Sequence, residues 1–175
     1  MEFKELVKDL LFTFGVSGYE DGIRNKILEY LKKFGNPVVD KVGNVYLTIG
    51  SGKEHIALMA HMDEIGAVIS YIEPSGFLKI KRLGGVDARM LYGQVMEILT
   101  QDGKIYNGVI GLKPPHISRE DEMNKFVPVD DLYLDVGANS LEEIKSMGIN
   151  ILDPVRWVKQ FNELKDRYIV SRGLD

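Results

Sequence analysis

The sequence contains no cysteine, a single tryptophan and no long apolar run, and these absences narrow its class. Without cysteine the chain has no disulfide framework and no thiolate metal site, which fits a reducing compartment. No apolar run approaches the roughly 20 residues that a membrane-spanning helix needs. The N-terminus is charged and leads into an amphipathic pattern, unlike a signal peptide. These features predict a cytoplasmic protein without a membrane partner.

A basic stripe is also missing, although the chain has 22 lysines and arginines. The 26 acidic residues are mixed among them, and the net charge is −4. Nucleic-acid-binding proteins usually carry a basic patch, so we expect no nucleic-acid partner. With 175 residues, 45% of them apolar, the chain is long enough for one domain, or one and a half small ones, with a real core.

The first third of the chain predicts two helices, a hairpin and a buried strand. Apolar residues within 3–14 follow helical spacing, and Ser17-Gly18-Tyr19-Glu20 has the form of a capping box that opens a second helix. Residues 38–49 predict a hairpin. The continuous apolar run 56–60 predicts a strand covered on both faces. This order of elements favours an α/β layer architecture.

After Gly66 the pattern changes to short strands separated by glycine, proline and aspartate. Strands are predicted at residues 67–72, 77–81, 95–99, 105–110, 132–136 and 155–158. A helix interrupts them, opened by the capping box Ser140-Leu141-Glu142-Glu143 and stopped by Gly148. Tyr168–Val170 then predicts a return strand. The stretch after Gly66 therefore reads as a β-rich module inserted into the α/β domain.

The segment Ala60-His61-Met62-Asp63-Glu64-Ile65-Gly66 carries the clearest chemical signal. His61 follows the predicted buried strand, and ligand sites in open α/β sheets form beyond the carboxyl ends of strands. Strand spacing places His61 and Asp63 on the same side. Neutral imidazole is a ligand for zinc or cobalt, and a carboxylate such as Asp63 fixes the tautomer of a ligating histidine. By itself the tripeptide also fits a hydrogen-bonded histidine followed by a turn.

Seven motifs, one of which is this segment, occur along the chain in a recognisable order. They are Gly15-Val16-Ser17-Gly18-Tyr19-Glu20, Asp40-Lys41-Val42-Gly43-Asn44-Val45, Ala60–Gly66, Gly84-Gly85-Val86-Asp87, Lys113-Pro114-Pro115-His116, Asp131–Ala138, and Gly148 followed by Asp153-Pro154. In this order they resemble the tetrahedral (TET) type of dinuclear-metal aminopeptidases, whose relatives carry the names glutamyl aminopeptidase and endoglucanase. Phe14 and Ala88 depart from the family by replacing prolines, and neither is a ligand.

The resemblance implies a three-layer α/β/α catalytic domain into which a β-rich, PDZ-like dimerisation domain is inserted. On this basis residues 1–66 are the N-terminal part of the catalytic domain, 67–164 are the inserted domain, and 165–175 return into an incomplete catalytic domain. Dimers of the family build a hollow dodecamer, so the resemblance implies a homo-oligomer.

The same resemblance implies two metal ions, zinc or cobalt, with His61 as a ligand of one of them. Ser171-Arg172-Gly173-Leu174-Asp175 resembles the start of the segment whose first aspartate bridges both ions, which makes Asp175 the bridging ligand. Asp63 counts as catalytic because it supports the metal site. A hydroxide between the two ions then attacks the first peptide bond of a peptide substrate. The other ligands and the glutamate base lie downstream in the family, so we expect this chain alone to be a truncated, inactive part of a metalloaminopeptidase.

Two other functions compete with this interpretation. A glycosidase needs two carboxylates facing across a sugar, whereas Asp63 and Glu64 are adjacent and would point opposite ways on a strand. A non-catalytic PDZ-like module would receive a peptide by strand addition, which applies if the chain is natively complete. His116 is better explained as a structural loop histidine than as a ligand of a second metal, whereas turn chemistry explains Asp87 as well as a substrate-gating role does.

Overall fold

The computed structural model describes residues 2–111, 115–117, 127–165 and 167–174. The chain forms two compact units, of which one comprises Met1–Glu64 with Lys159–Asp175 and the other Ile65–Val158. Helices and strands both occur, so the prediction of a mixed α/β chain is confirmed.

The helices and strands are numbered along the chain. The helices are α1 (Phe3–Phe12), α2 (Asp21–Leu31) and α3 (Leu141–Met147). The strands are β1 (Val38–Val39), β2 (Val45–Tyr46), β3 (Gly66–Ile72), β4 (Leu78–Leu83), β5 (Val95–Leu99), β6 (Ile105–Gly111), β7 (Tyr133–Asp135), β8 (Pro154–Trp157), β9 (Asn162–Leu164) and β10 (Tyr168–Val170). The six short strands predicted after Gly66, and the one at Tyr168–Val170, all form.

The first unit contains α1, α2 and two small antiparallel hairpins. The predicted hairpin at 38–49 is confirmed in shortened form, as β1 paired with β2. A second hairpin pairs β9 with β10. Gly15 links the two helices, and a Cβ at that position would come within 2.7 Å of Ile23 Cγ2. Only glycine therefore allows the chain to pass this close to α2.

The second unit is a closed barrel of six antiparallel strands in the order β3-β4-β7-β6-β5-β8. In β5 and β6 buried residues alternate with more exposed ones, as expected for strands with one face toward a core. Met96 and Ile98 of β5, Ile110 of β6 and Leu134 of β7 are almost completely buried. The core of this unit is therefore built from aliphatic side chains of successive strands.

Helix α3 belongs to the second unit and begins and ends as its sequence predicts. Ser140 Oγ accepts a hydrogen bond from the backbone N–H of Glu143 at 3.2 Å. Gly148 follows the last turn with a φ of +78°, a left-handed conformation that glycine adopts without a steric cost. Ile144 is fully buried and holds the helix against the barrel core.

The predicted buried strand at residues 56–60 is wrong. The structure assigns no strand there, and Ile56, Leu58 and Met59 are 92%, 95% and 91% exposed. A strand covered on both faces needs neighbouring strands and covering helices. The described residues of this chain do not supply them, so the apolar run is uncovered and has no regular secondary structure.

Across the described residues, no helix is both long and apolar enough to cross a membrane.

Candidate functional site

His61 and Asp63 lie side by side in the first unit, although no strand carries them. His61 Nδ1 is 2.9 Å from the Asp63 carbonyl oxygen and 3.2 Å from Asp63 Oδ1. The two side chains are 62% and 37% exposed. When Nδ1 carries the ring proton it donates to these oxygens, and the lone pair then resides on Nε2. This is the tautomer of a histidine that binds a metal through Nε2.

Ser17 holds the other carboxylate oxygen of Asp63. Ser17 Oγ donates a hydrogen bond to Asp63 Oδ2. This hydrogen bond is the main reason that the pKa of Asp63 lies below its ordinary value, and the contact with His61 lowers that pKa further. Asp63 is therefore held as a carboxylate that accepts from a hydroxyl and from an imidazole.

The capping box predicted at Ser17 is wrong. Helix α2 begins at Asp21, and its N-cap Glu20 makes no side-chain cap hydrogen bond. The Glu20 carboxylate instead accepts from the backbone N–H of Gly18 at 2.6 Å. Ser17 and Asp63 are 46 positions apart, so local sequence could not show that Asp63 orients the hydroxyl.

Backbone hydrogen bonds fix the loop that carries Ser17 against the segment that carries Asp63. Glu64 N donates to Gly15 O at 2.8 Å, and Ser17 N donates to Glu64 O at 3.1 Å. Val16 forms a parallel bridge with Glu64 and is fully buried. The relative position of Ser17 and Asp63 is thus set by main-chain contacts as well as by their own hydrogen bond.

Glu64 points to a different partner from its neighbour Asp63. Its carboxylate forms an ion pair with Lys159, and the two side chains are only 16% and 3% exposed. Lys159 Nζ also donates to the carbonyl oxygen of Arg172 at 3.2 Å. Sequence reasoning missed this pair, because 95 residues separate its members and neither lies in a charged cluster.

The described donors fit part of a metal site. Asp175, the predicted bridging ligand, lies outside the described residues. Within the parts of the chain that are described, no three His, Cys, Asp or Glu side chains come together as a group able to hold a metal ion. A catalytic zinc usually has three protein ligands, so His61 with its carboxylate partner is one element of such a set.

The remaining sequence candidates have local explanations. Asp87 Oδ1 accepts from the backbone N–H of Arg89 at 3.0 Å, and its carboxylate pairs with the guanidinium of the same residue. This pairing lowers the pKa of Asp87 to about 2. His116 lies exposed in the short 3-10 turn Pro115–Ile117. Both observations favour turn and loop chemistry at these positions.

Comparison with known proteins finds a matching family, similar sequences and similar solved structures. A family model described as M42 glutamyl aminopeptidase matches residues 43–175. The lysyl aminopeptidase of Pyrococcus furiosus is 35% identical over 175 residues, which cover 98% of this chain and 50% of the relative. The solved structure of PhTET1-12s, a dodecamer in the asymmetric unit, matches with a TM-score of 0.88 and 39% identity, over 100% of this chain and 51% of that chain.

A structure of Thermotoga maritima that bears the name endoglucanase is also similar. It matches with a TM-score of 0.71 and 31% identity, over 91% of this chain and 46% of that chain. In each of these comparisons the chain spans about half the length of the protein that it matches.

Proposed function

Because the chain belongs to the M42 glutamyl aminopeptidase family, we propose that the protein containing it removes N-terminal residues from peptides at a dinuclear metal site. The observation that carries this proposal is the contact between His61 Nδ1 and the carboxylate of Asp63. Enzymes of this family depend on metal ions, and the pair has the arrangement of a ligating histidine oriented by an acidic side chain.

Each residue has a separate task in this proposal. His61 binds one metal ion through Nε2, and Asp63 holds the opposite nitrogen in its protonated form. Ser17 holds Asp63 in place through the second carboxylate oxygen. Asp175 is proposed as the ligand shared by two ions, zinc or cobalt. When bound, these ions supply Lewis-acid activation of water and of the peptide carbonyl.

We also propose the domain roles that the family suggests. The first compact unit forms part of a three-layer α/β/α catalytic domain, and the second, which contains the barrel, forms an inserted, PDZ-like dimerisation domain. The dodecamer of the similar PhTET1-12s structure supports a homo-oligomer built from such dimers. A cytoplasmic location is also proposed, in keeping with the lack of cysteine in the sequence.

The function is tested by replacing the proposed ligand in the whole protein that contains this chain. His61→Ala should lower kcat/KM for aminoacyl p-nitroanilides in the presence of cobalt by at least about 100-fold, since even outer residues of metal sites often contribute 10–100-fold. His55→Ala is the matched control, because His55 is an exposed histidine of the same unit, and it should stay within about twofold of the parent activity. Full activity in His61→Ala would refute the proposal.

The two alternative functions find less support in the geometry. A glycosidase needs a pair of carboxylates facing one substrate, whereas Asp63 contacts Ser17 and His61 while Glu64 contacts Lys159. Strand addition needs a free sheet edge. In the described residues each of the six barrel strands already has two neighbours.

A further inference from the structure

We infer that Lys159 and Glu64 are positioning residues of the metal site, which tie the segment carrying His61 and Asp63 to the segment leading into Asp175. This inference rests on the proposed function, because it takes His61 and Asp175 as metal ligands. It assigns a role to a buried ion pair that no step of the proposed reaction uses.

The ion pair lies where two distant parts of the first unit meet. Lys159 is 3% exposed and Glu64 is 16% exposed, so water screens their attraction little. The ammonium group has three hydrogens to donate. It donates to the Glu64 carboxylate and, at 3.2 Å, to the carbonyl oxygen of Arg172. One side chain therefore holds both segments.

Gly173, in the segment that leads to Asp175, lies against the same ion pair. It has a φ of +77°, and a Cβ at this position would lie 3.1 Å from Lys159 Nζ and 3.9 Å from Glu64 Oε2. The backbone therefore approaches the ammonium as closely as a residue without a side chain allows. Asp175 follows two residues later, so the contact fixes the start of the segment that carries the proposed bridging ligand.

Glu64 connects the ion pair to the segment that carries His61, the proposed histidine ligand. Glu64 follows Asp63 in the chain, and its backbone forms hydrogen bonds with the backbones of Gly15 and Ser17. Asp63 in turn contacts His61 and Ser17. A shift of Glu64 would therefore move the carboxylate that orients His61.

The energetics favour a geometric role over a stabilising one. Removing two charges from water is costly, and a well-packed apolar pair is often as stable as a buried ion pair. Two acceptors on different segments, joined by one ammonium, do specify a single arrangement of those segments. A metal site needs such an arrangement, because outer contacts that orient ligands typically change metal affinity or activity by about 10–100-fold.

The test measures cobalt binding separately from stability, in the whole protein freed of metal. Cobalt chloride alone is titrated by calorimetry into the parent protein, His61→Ala, and the paired variant Glu64→Gln/Lys159→Met. The paired variant removes both charges and keeps the side-chain volumes. Its matched control is Lys4→Met/Glu163→Gln, which removes an ion pair of the same unit whose side chains are 40% and 36% exposed.

We expect the paired variant to bind cobalt about 10-fold or more weakly, while its melting temperature stays within about 4 °C of the parent. The control should match the parent in both measurements. Unchanged cobalt affinity in the paired variant overturns the positioning role, because a merely structural pair would affect melting alone. If the paired variant does not fold, Glu64→Gln, which keeps an acceptor oxygen, is judged by the same two readings.

Cobalt binding to the parent protein and to His61→Ala distinguishes a failure of the proposed function from a failure of the positioning role alone. If the parent binds no cobalt, or if His61→Ala binds it as tightly as the parent, the proposed function fails and this inference fails with it. If His61→Ala loses cobalt but the paired variant does not, only the positioning role is refuted.

Discussion

At the scale of single residues, Asp63 joins two side chains that come from different parts of the sequence. Ser17 donates to one of its oxygens, and His61 lies 3.2 Å from the other. Because the carboxylate has both oxygens engaged, it can rotate little. This restraint is what a metal-binding imidazole needs from its partner, since the orientation of the ring depends on it.

Replacing Asp63 tests this restraint. Asp63→Asn keeps the shape and one acceptor oxygen but removes the charge, so cobalt affinity should fall about 10–100-fold. Calorimetric titration with cobalt measures the change. Asp21→Asn is the control, because Asp21 is an 85% exposed carboxylate of the same unit that pairs only locally with Arg24. Equal affinity in Asp63→Asn and in the control would contradict the role given to Asp63.

A second residue-scale prediction concerns Tyr30 of α2 and Asp9 of α1. Tyr30 Oη donates to the Asp9 carboxylate, and this hydrogen bond raises the pKa of Tyr30 to about 12. The folded pKa lies above the unfolded value of about 10. The bond therefore stabilises the fold below about pH 10, and this contribution is lost as the pH rises from about 10 to about 12.

Asp9→Asn should return the pKa of Tyr30 toward 10. Ultraviolet titration near the tyrosinate absorption band should show one tyrosine that ionises late in the parent and earlier in Asp9→Asn. Tyr30→Phe identifies this group, because the late step should then disappear altogether. A late step that persists in Tyr30→Phe would assign it to another tyrosine.

At the scale of elements, α3 shows how far local signals decide structure. Its N-cap Ser140 accepts from Glu143 N, and the side chain of Glu143 reaches back to the backbone N–H of Asn139 at 2.8 Å. Gly148 provides the left-handed C-cap. All three contacts lie within four residues along the chain, so the sequence alone predicts them.

Ser140→Ala should lower the free energy of unfolding by about 1 kcal/mol, because the backbone N–H of Glu143 loses its acceptor. Urea unfolding followed by circular dichroism measures this change. Ser146→Ala serves as the control in the same helix, since Ser146 is exposed and does not cap the N-terminus. If both variants unfold at the same urea concentration as the parent, the cap contributes nothing measurable.

The motif at Ser17 had the same form as the one at Ser140 and formed a different structure. Ser140 bonds locally to the backbone of Glu143, whereas Ser17 meets a carboxylate 46 positions away. The Ser17 hydroxyl donates to Asp63, and this charge-assisted contact, rather than the N–H groups of α2, orients the side chain. Tertiary contact therefore overrode a local signal at Ser17, where the candidate site lies.

At the scale of the whole molecule, the apolar run at 56–60 is exposed rather than buried in a core. Ile56, Leu58 and Met59 are each more than 90% exposed, and clustered apolar side chains promote association. The run precedes His61, so whatever covers it also lies next to the candidate site. We expect this surface to be buried in the assembled protein.

The 175-residue chain by itself should therefore associate or bind hydrophobic dye through this run. Changing Ile56, Leu58 and Met59 together to serine should reduce 8-anilinonaphthalene-1-sulfonate fluorescence and light scattering. Val42→Ser is the control, because Val42 is 83% exposed but stands alone. Equal dye binding in the triple variant and in the parent chain would show that another surface is responsible.

The sequence predicts elements that have local signals, but it does not show whether distant parts of the chain cover a segment. The sequence predicts the barrel strands to within about two residues, because glycine, proline and aspartate separate their short runs. The apolar composition of residues 56–60 predicts a buried strand. Composition shows only which residues can be buried, and not whether other parts of the described chain cover them. His61 and Asp63 were proposed from a motif, and their contact became visible only in three dimensions.

The sequence by itself determined the short strands, the caps of α3, the candidate residues His61 and Asp63, and the family, because each follows from local spacing or from ordered motifs. The tertiary structure decided that Ser17 serves Asp63 and that Lys159 joins Glu64 to Arg172. These contacts connect residues 13 to 95 positions apart. No local pattern encodes such pairs, since folding alone brings their donors and acceptors together.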